Sequence, residues 1–114
     1  MPAAYVSNLV IDAGSNFNQT FTLASAADGG SFGLDEYDLT AHMRKHAVSS
    51  KKTVFTVTKI AETSGVFVLS LTSDQTVDLK PGRYVYDVLA TLSDTSEKIR
   101  VLEGTVLVRE GVTR

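Results

Sequence analysis

The two histidines, His42 and His46, are the first candidates for metal ligands in this sequence. On an extended strand they share one face, but four residues at about 3.3 Å each place them about 13 Å apart. One zinc ion cannot bind both, because zinc–nitrogen distances are about 2.0–2.1 Å. The sequence has no cysteine, which excludes a thiolate metal site, a cysteine nucleophile and any disulfide. We therefore expect both histidines to be structural or solvated, and the chain to bind no metal.

Carboxylates in two places could bind a cation or act as acid and base. Those at residues 35–38 lack the alternating oxygen ligands, turn glycine and terminal glutamate of a calcium loop, so we expect a solvated acidic turn. Asp87 lies within an apolar run, where burying a charge alone is very costly. We predict that Asp87 faces solvent or pairs with a nearby cation such as Arg83 or Arg100.

Motifs for other chemistry are missing from the sequence. No serine lies in the Gly-x-Ser-x-Gly setting of a nucleophile elbow, and the glycines at 29–33 lack the spacing and the following helix of a nucleotide-binding loop. Basic residues at 44–45 and 51–52 could form a cationic hairpin tip, but no aromatic residue lies between them and the net charge is −2. Nucleic acid binding calls for a strongly basic field. We expect no enzymatic activity, no cofactor and no direct contact with nucleic acid.

Size and composition predict one folded domain spanning residues 1–114. The chain is 43% hydrophobic and 21% charged, and a chain of this size buries about two-thirds of its surface, enough for a single core. Its longest apolar runs have three or four residues, whereas a membrane-spanning helix needs about 20. The N-terminus has no signal-peptide pattern. We therefore expect synthesis in a cytoplasm and no membrane partner.

The elements that must position all these side chains are strands. Valine and threonine, with 14 and 13 residues, favour the pleated surface of a sheet. Apolar and polar residues alternate with period two, for example in the run 17–23, and turn residues bound each such run. Eight strands are predicted, at residues 5–12, 16–23, 37–46, 53–60, 65–71, 83–92, 97–102 and 104–109. This spacing predicts an all-β fold, an antiparallel sandwich or barrel. Of the two we expect an antiparallel immunoglobulin-like β-sandwich of about seven to eight strands.

Local signals between the strands are specific in a few places. Thr72 and Gln75 have the spacing of a capping box, so residues 73–79 could form one helical turn. Pro81–Gly82 fits a type II turn, in which the glycine supplies a positive φ. Glu103–Gly104 fits a bulge between the last two strand segments. Residues 24–33 are small and poor in strand formers, and they predict a long loop, either a contact loop or a tolerated surface excursion.

The order of these segments resembles small β-sandwich proteins among the virion structural proteins of tailed phages, such as N-terminal domains of upper-baseplate and tail-fibre-connector proteins. The residues that carry the resemblance extend from about residue 9 to the end of the chain. They are Leu9–Gly14, Phe17, Phe21–Leu23, Leu34–Tyr37, Met43–Lys45, Leu69–Thr72, Thr76, Leu79, Pro81–Gly82, Tyr84, Tyr86–Val88, Leu102–Gly104 and Val112–Arg114. At Asp35–Glu36 such proteins often carry Thr-Gly.

The resemblance implies a structural component of a bacteriophage virion, in the tail, baseplate or neck, localised to the virion after synthesis in the host cytoplasm. Its partners would be other virion structural proteins and copies of itself, as a homo-oligomer or in a symmetric ring. The chain termini, at 1–6 and 109–114, are candidates for strand exchange between copies.

Two alternatives stay open at this point. The first is a capsid-decoration protein, which the virion shell that it accompanies would distinguish. The second is a carbohydrate- or host-surface-binding module. Sugar sites usually present exposed aromatic rings; the sequence has no tryptophan, and Tyr5, Phe32 and Tyr37 are the aromatic residues that could lie on the surface.

Overall fold

The computed structural model describes residues 5–23, 37–61, 65–92 and 97–112. In these residues nine strands and one short helix form. In chain order they are β1 Tyr5–Val6, β2 Leu9–Asp12, β3 Phe17–Thr22, β4 Tyr37–Arg44, β5 Thr53–Val54, β6 Thr56–Ala61, β7 Val66–Leu71, α1 Ser73–Thr76, β8 Gly82–Leu92 and β9 Lys98–Arg109. Most ends of the predicted strands are confirmed within one or two residues, but the predicted strand at 53–60 is two strands, β5 and β6, which lie in different sheets.

The strands form two sheets. The larger sheet has the order β1-β9-β8-β4-β5, with β2 also paired to β9, and the smaller sheet has the order β3-β7-β6. The strands β3, β7 and β6 correspond in order to strands B, E and D of the immunoglobulin sandwich, and β4, β8 and β9 correspond to strands C, F and G of its other sheet. The predicted immunoglobulin-like β-sandwich is confirmed.

The pairing of the first two strands departs from the purely antiparallel expectation. Both β1 and β2 run parallel to β9, whereas β4, β8 and β9 pair antiparallel. The expectation rested on the short connections between consecutive strands, but β1 and β2 meet a strand from the other end of the chain, so no short connection constrains their direction. The predicted single strand at 5–12 is also interrupted, at Ser7–Asn8.

The last two predicted strands are one continuous strand, β9. Its irregularity lies earlier than the predicted bulge at Glu103–Gly104: the register with β8 shifts so that Val88 faces Leu102 and the next residue, Leu89, faces Arg100. The extra residue, Val101, therefore points inward together with Leu102, and both are buried. A bulge here turns an additional apolar side chain toward the core without ending the strand.

The core lies between the two sheets. The period-two pattern places the inward residues of each strand correctly, including those of the run 17–23. The buried hydrophobic residues are Leu9, Ile11, Phe17, Leu23, Ala41, Met43, Phe55, Phe67, Leu69, Leu71, Tyr86, Val88, Ala90, Val101, Leu102, Val106 and Val108. Several partly buried residues pack against them, among them Phe21 and Tyr37.

The helix α1 connects the two sheets and has the predicted capping box. The Thr72 side chain accepts from the Gln75 backbone N–H, and the Gln75 side chain accepts from the Thr72 backbone N–H. Residues after Thr76 do not continue the helix, so it is shorter than the predicted range of 73–79. No helix in the described residues is long and apolar enough to cross a membrane. The turn after α1 leads to Gly82, which has the predicted positive φ, at 141°. This value is far from the about +80° of a type II turn, and Gly82 already begins β8, so the predicted turn type is not confirmed.

Thr76 anchors this helix to the turn between β2 and β3. It is fully buried, and its Oγ1 accepts from the Gly14 N–H at 3.0 Å and donates to the Ser15 carbonyl at 2.7 Å. A buried hydroxyl that satisfies two backbone groups stabilises the fold mainly because those groups would otherwise lack partners.

We expect Thr76→Val, which keeps the shape of the side chain, to lower the free energy of unfolding by about 1–3 kcal/mol. The matched control is Thr58→Val, since Thr58 is exposed on β6 and such surface changes are usually within about 0.5 kcal/mol. Urea unfolding monitored by circular dichroism measures both, and equal midpoints for the two variants would contradict the role of the Thr76 hydroxyl.

Candidate interaction surfaces

The residues singled out as possible ligands or catalysts do not converge. His42 lies on β4 and is half-buried, whereas His46 is exposed in the turn beyond the end of that strand. Asp38 is exposed on β4, and residues 24–33, 35 and 36 lie outside the described residues. No group of three histidine or acidic residues in the described parts of the chain could hold a metal ion.

A groove lies on the outer face of the larger sheet. It encloses about 720 Å³, and we call it the sheet groove. The residues that line it include Val6, His42, Arg44, Val85, Arg100 and Glu103. They come from β1, β4, β8 and β9 because alternate residues of these adjacent strands point outward.

The strand register aligns three titratable side chains across the sheet groove. His42 is directly opposite Asp87, and Asp87 is directly opposite Glu103. Two carboxylates placed opposite each other destabilise a sheet unless a cation compensates. Arg100 supplies one, since its Nε lies 3.2 Å from a carboxylate oxygen of Asp87. The prediction that Asp87 pairs with Arg83 or Arg100 is confirmed for Arg100.

Basic residues surround His42, at the β4 end of this row of three side chains. Arg44 donates from Nη1 to the Ser49 carbonyl at 2.7 Å, which ties β4 to the turn that follows it. Burial lowers the pKa of His42 below its ordinary value of 6.5, and the positive charges of Lys52 and Arg44 lower it further, while Asp87 acts in the opposite direction. His42 is therefore neutral at pH 7.

Because the pKa of His42 is lowered in the folded state, the unfolded chain binds more protons near and below pH 6.5. The free energy of unfolding is therefore expected to fall as the pH is lowered from 7.5 through 6.5 to the depressed pKa. His42→Asn should reduce this loss and His46→Asn, at an exposed turn position, should leave it intact. Denaturant midpoints at pH 7.5 and 5.5 measure the effect; an unchanged pH dependence in His42→Asn would contradict it. Asp12, whose pKa is lowered by a hydrogen bond from Arg109, affects the free energy of unfolding only near and below pH 3.8.

The interruption between β1 and β2 forms one wall of the sheet groove. The Tyr86 hydroxyl donates to the Ser7 carbonyl, and the Ser7 N–H donates to the Glu103 carbonyl at 2.9 Å. At Asn8 the side chain takes the place of a backbone carbonyl in the pairing with β9: Asn8 Oδ1 accepts from the Thr105 N–H at 3.1 Å. Burial raises the pKa of Tyr86 to about 12. The hydroxyl is therefore protonated at neutral pH and can donate this hydrogen bond.

The free edges of the sandwich are the second kind of surface on which a partner could dock. The smaller sheet ends in β3 and β6. On β6, half-buried Lys59 donates from Nζ to the Tyr37 carbonyl, and the ladder with β7 shifts register between Lys59 and Ala61. Inward charges and bulges are features that prevent a further strand from pairing with an edge. The β6 edge is therefore protected.

The edge of β3 carries no such protection. Its six residues pair in continuous register with β7 and include no proline and no charged residue. The Leu23 N–H donates to the Gly65 carbonyl, across the sheet toward the β7 side. Because the direction alternates along an antiparallel ladder, the N–H and C=O groups of Asn18, Thr20 and Thr22 face away from β7. We call these groups the β3 edge; among the described residues β3 pairs with β7 alone.

Sequence reasoning identified neither surface, although a signal for both was present. The sheet groove follows from the polar residues that alternate with the core residues of β8 and β9, once the register is known. The β3 edge is visible as a six-residue strand without charge, but only the topology identifies β3 as an edge.

The described parts of the termini are paired within the chain: Val6 lies opposite Glu103, and Asp12 binds Arg109 at 2.7 Å.

Comparisons with known proteins address the fold. No protein-family model matches the sequence, and no curated protein matches it. InlP of Listeria monocytogenes superposes with a TM-score of 0.50 and 14% identity over 90% of this chain, which covers 26% of InlP. A family 123 glycoside hydrolase from Clostridium perfringens gives a TM-score of 0.45 and 13% identity over 96% of this chain and 24% of its own. The NK cell receptor Nkp44 gives 0.44 and 12% over 95% of this chain and 100% of its own.

The chain therefore spans about a quarter of the length of the first two proteins. At identities this low a structural likeness concerns the fold alone. The chain is thus similar in fold to a part of InlP, and the all-β sandwich itself rests on the strands and sheets described above.

Proposed function

We propose that the chain is a structural component of a bacteriophage virion, at the tail, baseplate or neck, that assembles with copies of itself and with neighbouring virion proteins. The resemblance of its sequence to phage β-sandwich domains supports the assignment to a virion. The β3 edge, which pairs with β7 alone among the described residues, is the observation that carries the assembly role. An extended segment that pairs with Asn18, Thr20 and Thr22 continues the smaller sheet through main-chain hydrogen bonds.

A building block inside a particle needs more than one contact surface, and the larger sheet offers the other. Val10 and Leu107 lie opposite each other on its outer face and are 50% and 40% exposed. Val85, 37% exposed, lies on the adjacent strand β8 beside the sheet groove. Exposed apolar residues grouped at a groove that also contains charged side chains are typical of sites where another protein docks.

The described surface favours this role over carbohydrate binding. Seven aromatic residues fall within the described side chains, and each is buried or half-buried. Tyr37, one of the three expected surface candidates, packs against the core. The side chain of Tyr5 and all of Phe32 lie outside the described residues. The proposed role is structural and not catalytic.

The proposal is tested on purified phage particles. Tails and heads are separated after disruption, and the chain is quantified by mass spectrometry relative to a tail-tube protein and a major capsid protein. We expect several copies per particle in the tail fraction, with a non-structural phage enzyme as the negative control. Recovery with heads would replace the tail assignment by a capsid-decoration role. Absence from particles, with abundant chain in the infected lysate, would refute the proposal.

A further inference from the structure

We propose that a second copy of this chain docks on the β3 edge by antiparallel strand pairing around a two-fold axis that passes beside Thr20. This inference rests on the proposed function, in which copies of the chain assemble with one another. It adds the surface through which two copies bind and the register of their strands. The result is one continuous six-stranded sheet made of two β6-β7-β3 halves.

The register follows from which backbone groups of β3 have no partner in the described parts of the chain. Asn18, Thr20 and Thr22 are the three residues of β3 whose N–H and C=O groups face outward. When Thr20 lies opposite Thr20 of the second copy, Asn18 lies opposite Thr22 of that copy, and all three residues exchange pairs of hydrogen bonds. A shift of the axis by one residue in either direction leaves some of these donors and acceptors without partners. The centred register is therefore the most favourable.

The outer side chains fit this symmetric pairing. Asn18, Thr20 and Thr22 are all exposed on the outer face of the sheet. In the paired state Thr20 faces its own copy, and Asn18 faces Thr22. A charge on a two-fold axis would face an identical charge, which is destabilising, whereas threonine pairs across strands are favourable. An isologous contact needs a patch that tolerates its own image, and an uncharged β3 meets this condition.

The inner side chains favour the same contact, because it covers a partly exposed aromatic ring. Phe21 points inward and stacks on Phe67 with a centroid distance of 5.5 Å, yet it remains half-buried. In the centred register Phe21 lies opposite Gln19 of the second copy, which is exposed in the single chain. Side chains in such pairs, which are not hydrogen-bonded, lie close together. The pairing thus covers the one ring on β3 that its own chain leaves partly open.

Other edges of the described structure are less suited to a second copy. β1 and β5 have two residues each, and β2 has four. β2 also carries Asp12, an exposed charge held by Arg109. β6 has an inward lysine and a bulge. Short, charged or irregular edges resist strand addition.

The test is a charge swap at the proposed axis. Thr20→Lys and Thr20→Glu each place like charges opposite one another in the dimer, and their equimolar mixture places opposite charges there. Sedimentation equilibrium of the full chain at low ionic strength, where exposed charges are least screened, measures dimer dissociation constants. We expect each variant alone to weaken the dimer by about tenfold, equivalent to about 1.4 kcal/mol, and the mixture to recover it.

Controls separate this edge from a general effect of surface charge. Thr58→Lys and Thr58→Glu change an exposed threonine on β6, the protected edge of the same sheet, and should leave the dimer unchanged. Thr20→Pro removes one edge donor without breaking the ladder to β7 and should also weaken the dimer, in case a charged variant folds poorly by circular dichroism.

Two results would overturn the inference: a wild-type chain that stays monomeric up to millimolar concentration, or an oligomer that the Thr20 variants leave unchanged. The second result would reject this edge while the proposed virion role still stood. Absence of the chain from phage particles would reject that role and leave the measured dimer untouched, so the two failures are distinguishable.

Discussion

Replacing Phe67 with alanine is expected to lower the free energy of unfolding by about 3–5 kcal/mol, the range for removing a buried aromatic side chain. Phe67 is fully buried on β7, the central strand of the smaller sheet, and its ring packs against that of Phe21. Truncation removes the ring from the contact between the sheets and leaves a cavity that rigid strands on both sides cannot close.

A domain of this size is stable by about 5–15 kcal/mol in total, so Phe67→Ala should approach or cross the unfolding threshold at 37 °C. The matched control is Ile60→Ala on β6, because Ile60 is 61% exposed and its truncation should cost less than about 0.5 kcal/mol. Thermal unfolding by calorimetry compares the two. Similar melting temperatures for both variants would show that the core does not lie where the structure places it.

Gly104→Ala is the second large effect, and it tests how the N-terminal strands are held. A β-carbon at Gly104 would overlap the Ser7 carbonyl oxygen and lie 2.9 Å from the Ser7 carbonyl carbon and 3.1 Å from Asn8 Oδ1. Since the obstacle is mostly backbone, it cannot rotate away. We expect the free energy of unfolding to fall by about 2–3 kcal/mol, toward the upper end of overpacking effects.

The structural consequence should be local to the interrupted segment. Displacing Ser7 also breaks the hydrogen bond from Tyr86 and the pairing of Asn8 with Thr105, so the Ser7 amide should exchange faster with solvent. Gly14→Ala is the control. Gly14 has a φ of 86° but nothing near its missing β-carbon, so only backbone strain of about 1 kcal/mol is expected. Equal costs for the two variants would contradict the close approach of β1–β2 to β9.

The sequence predicted the strands well because their signal is local. In an extended chain every second side chain faces the core, and runs such as 17–23 and 66–71 show that alternation directly. The capping box at Thr72–Gln75 is equally local, since both partners lie within one turn. These features depend only on neighbours in the chain.

What the sequence could not predict depends on contacts between distant residues. The break at Ser7–Asn8 exists because Tyr86 and Thr105 bind that segment from other strands. The sequence predicts Gly104 to be a bulge residue, yet a glycine is required there because the backbone of Ser7 lies so close. The row of His42, Asp87 and Glu103 appears only once the register of three strands is known. The open edge of β3 likewise depends on the order of strands, which no single strand encodes.

Amide hydrogen exchange of residues 17–22, measured by NMR at low and high protein concentration, tests the open β3 edge most directly. In dilute solution the amides of Asn18, Thr20 and Thr22 should exchange rapidly, while those of Gln19 and Phe21, bonded to β7, should be protected. On concentration, protection should appear at the first three alone. Uniform protection along β3 in dilute solution, or no change on concentration, would contradict the account.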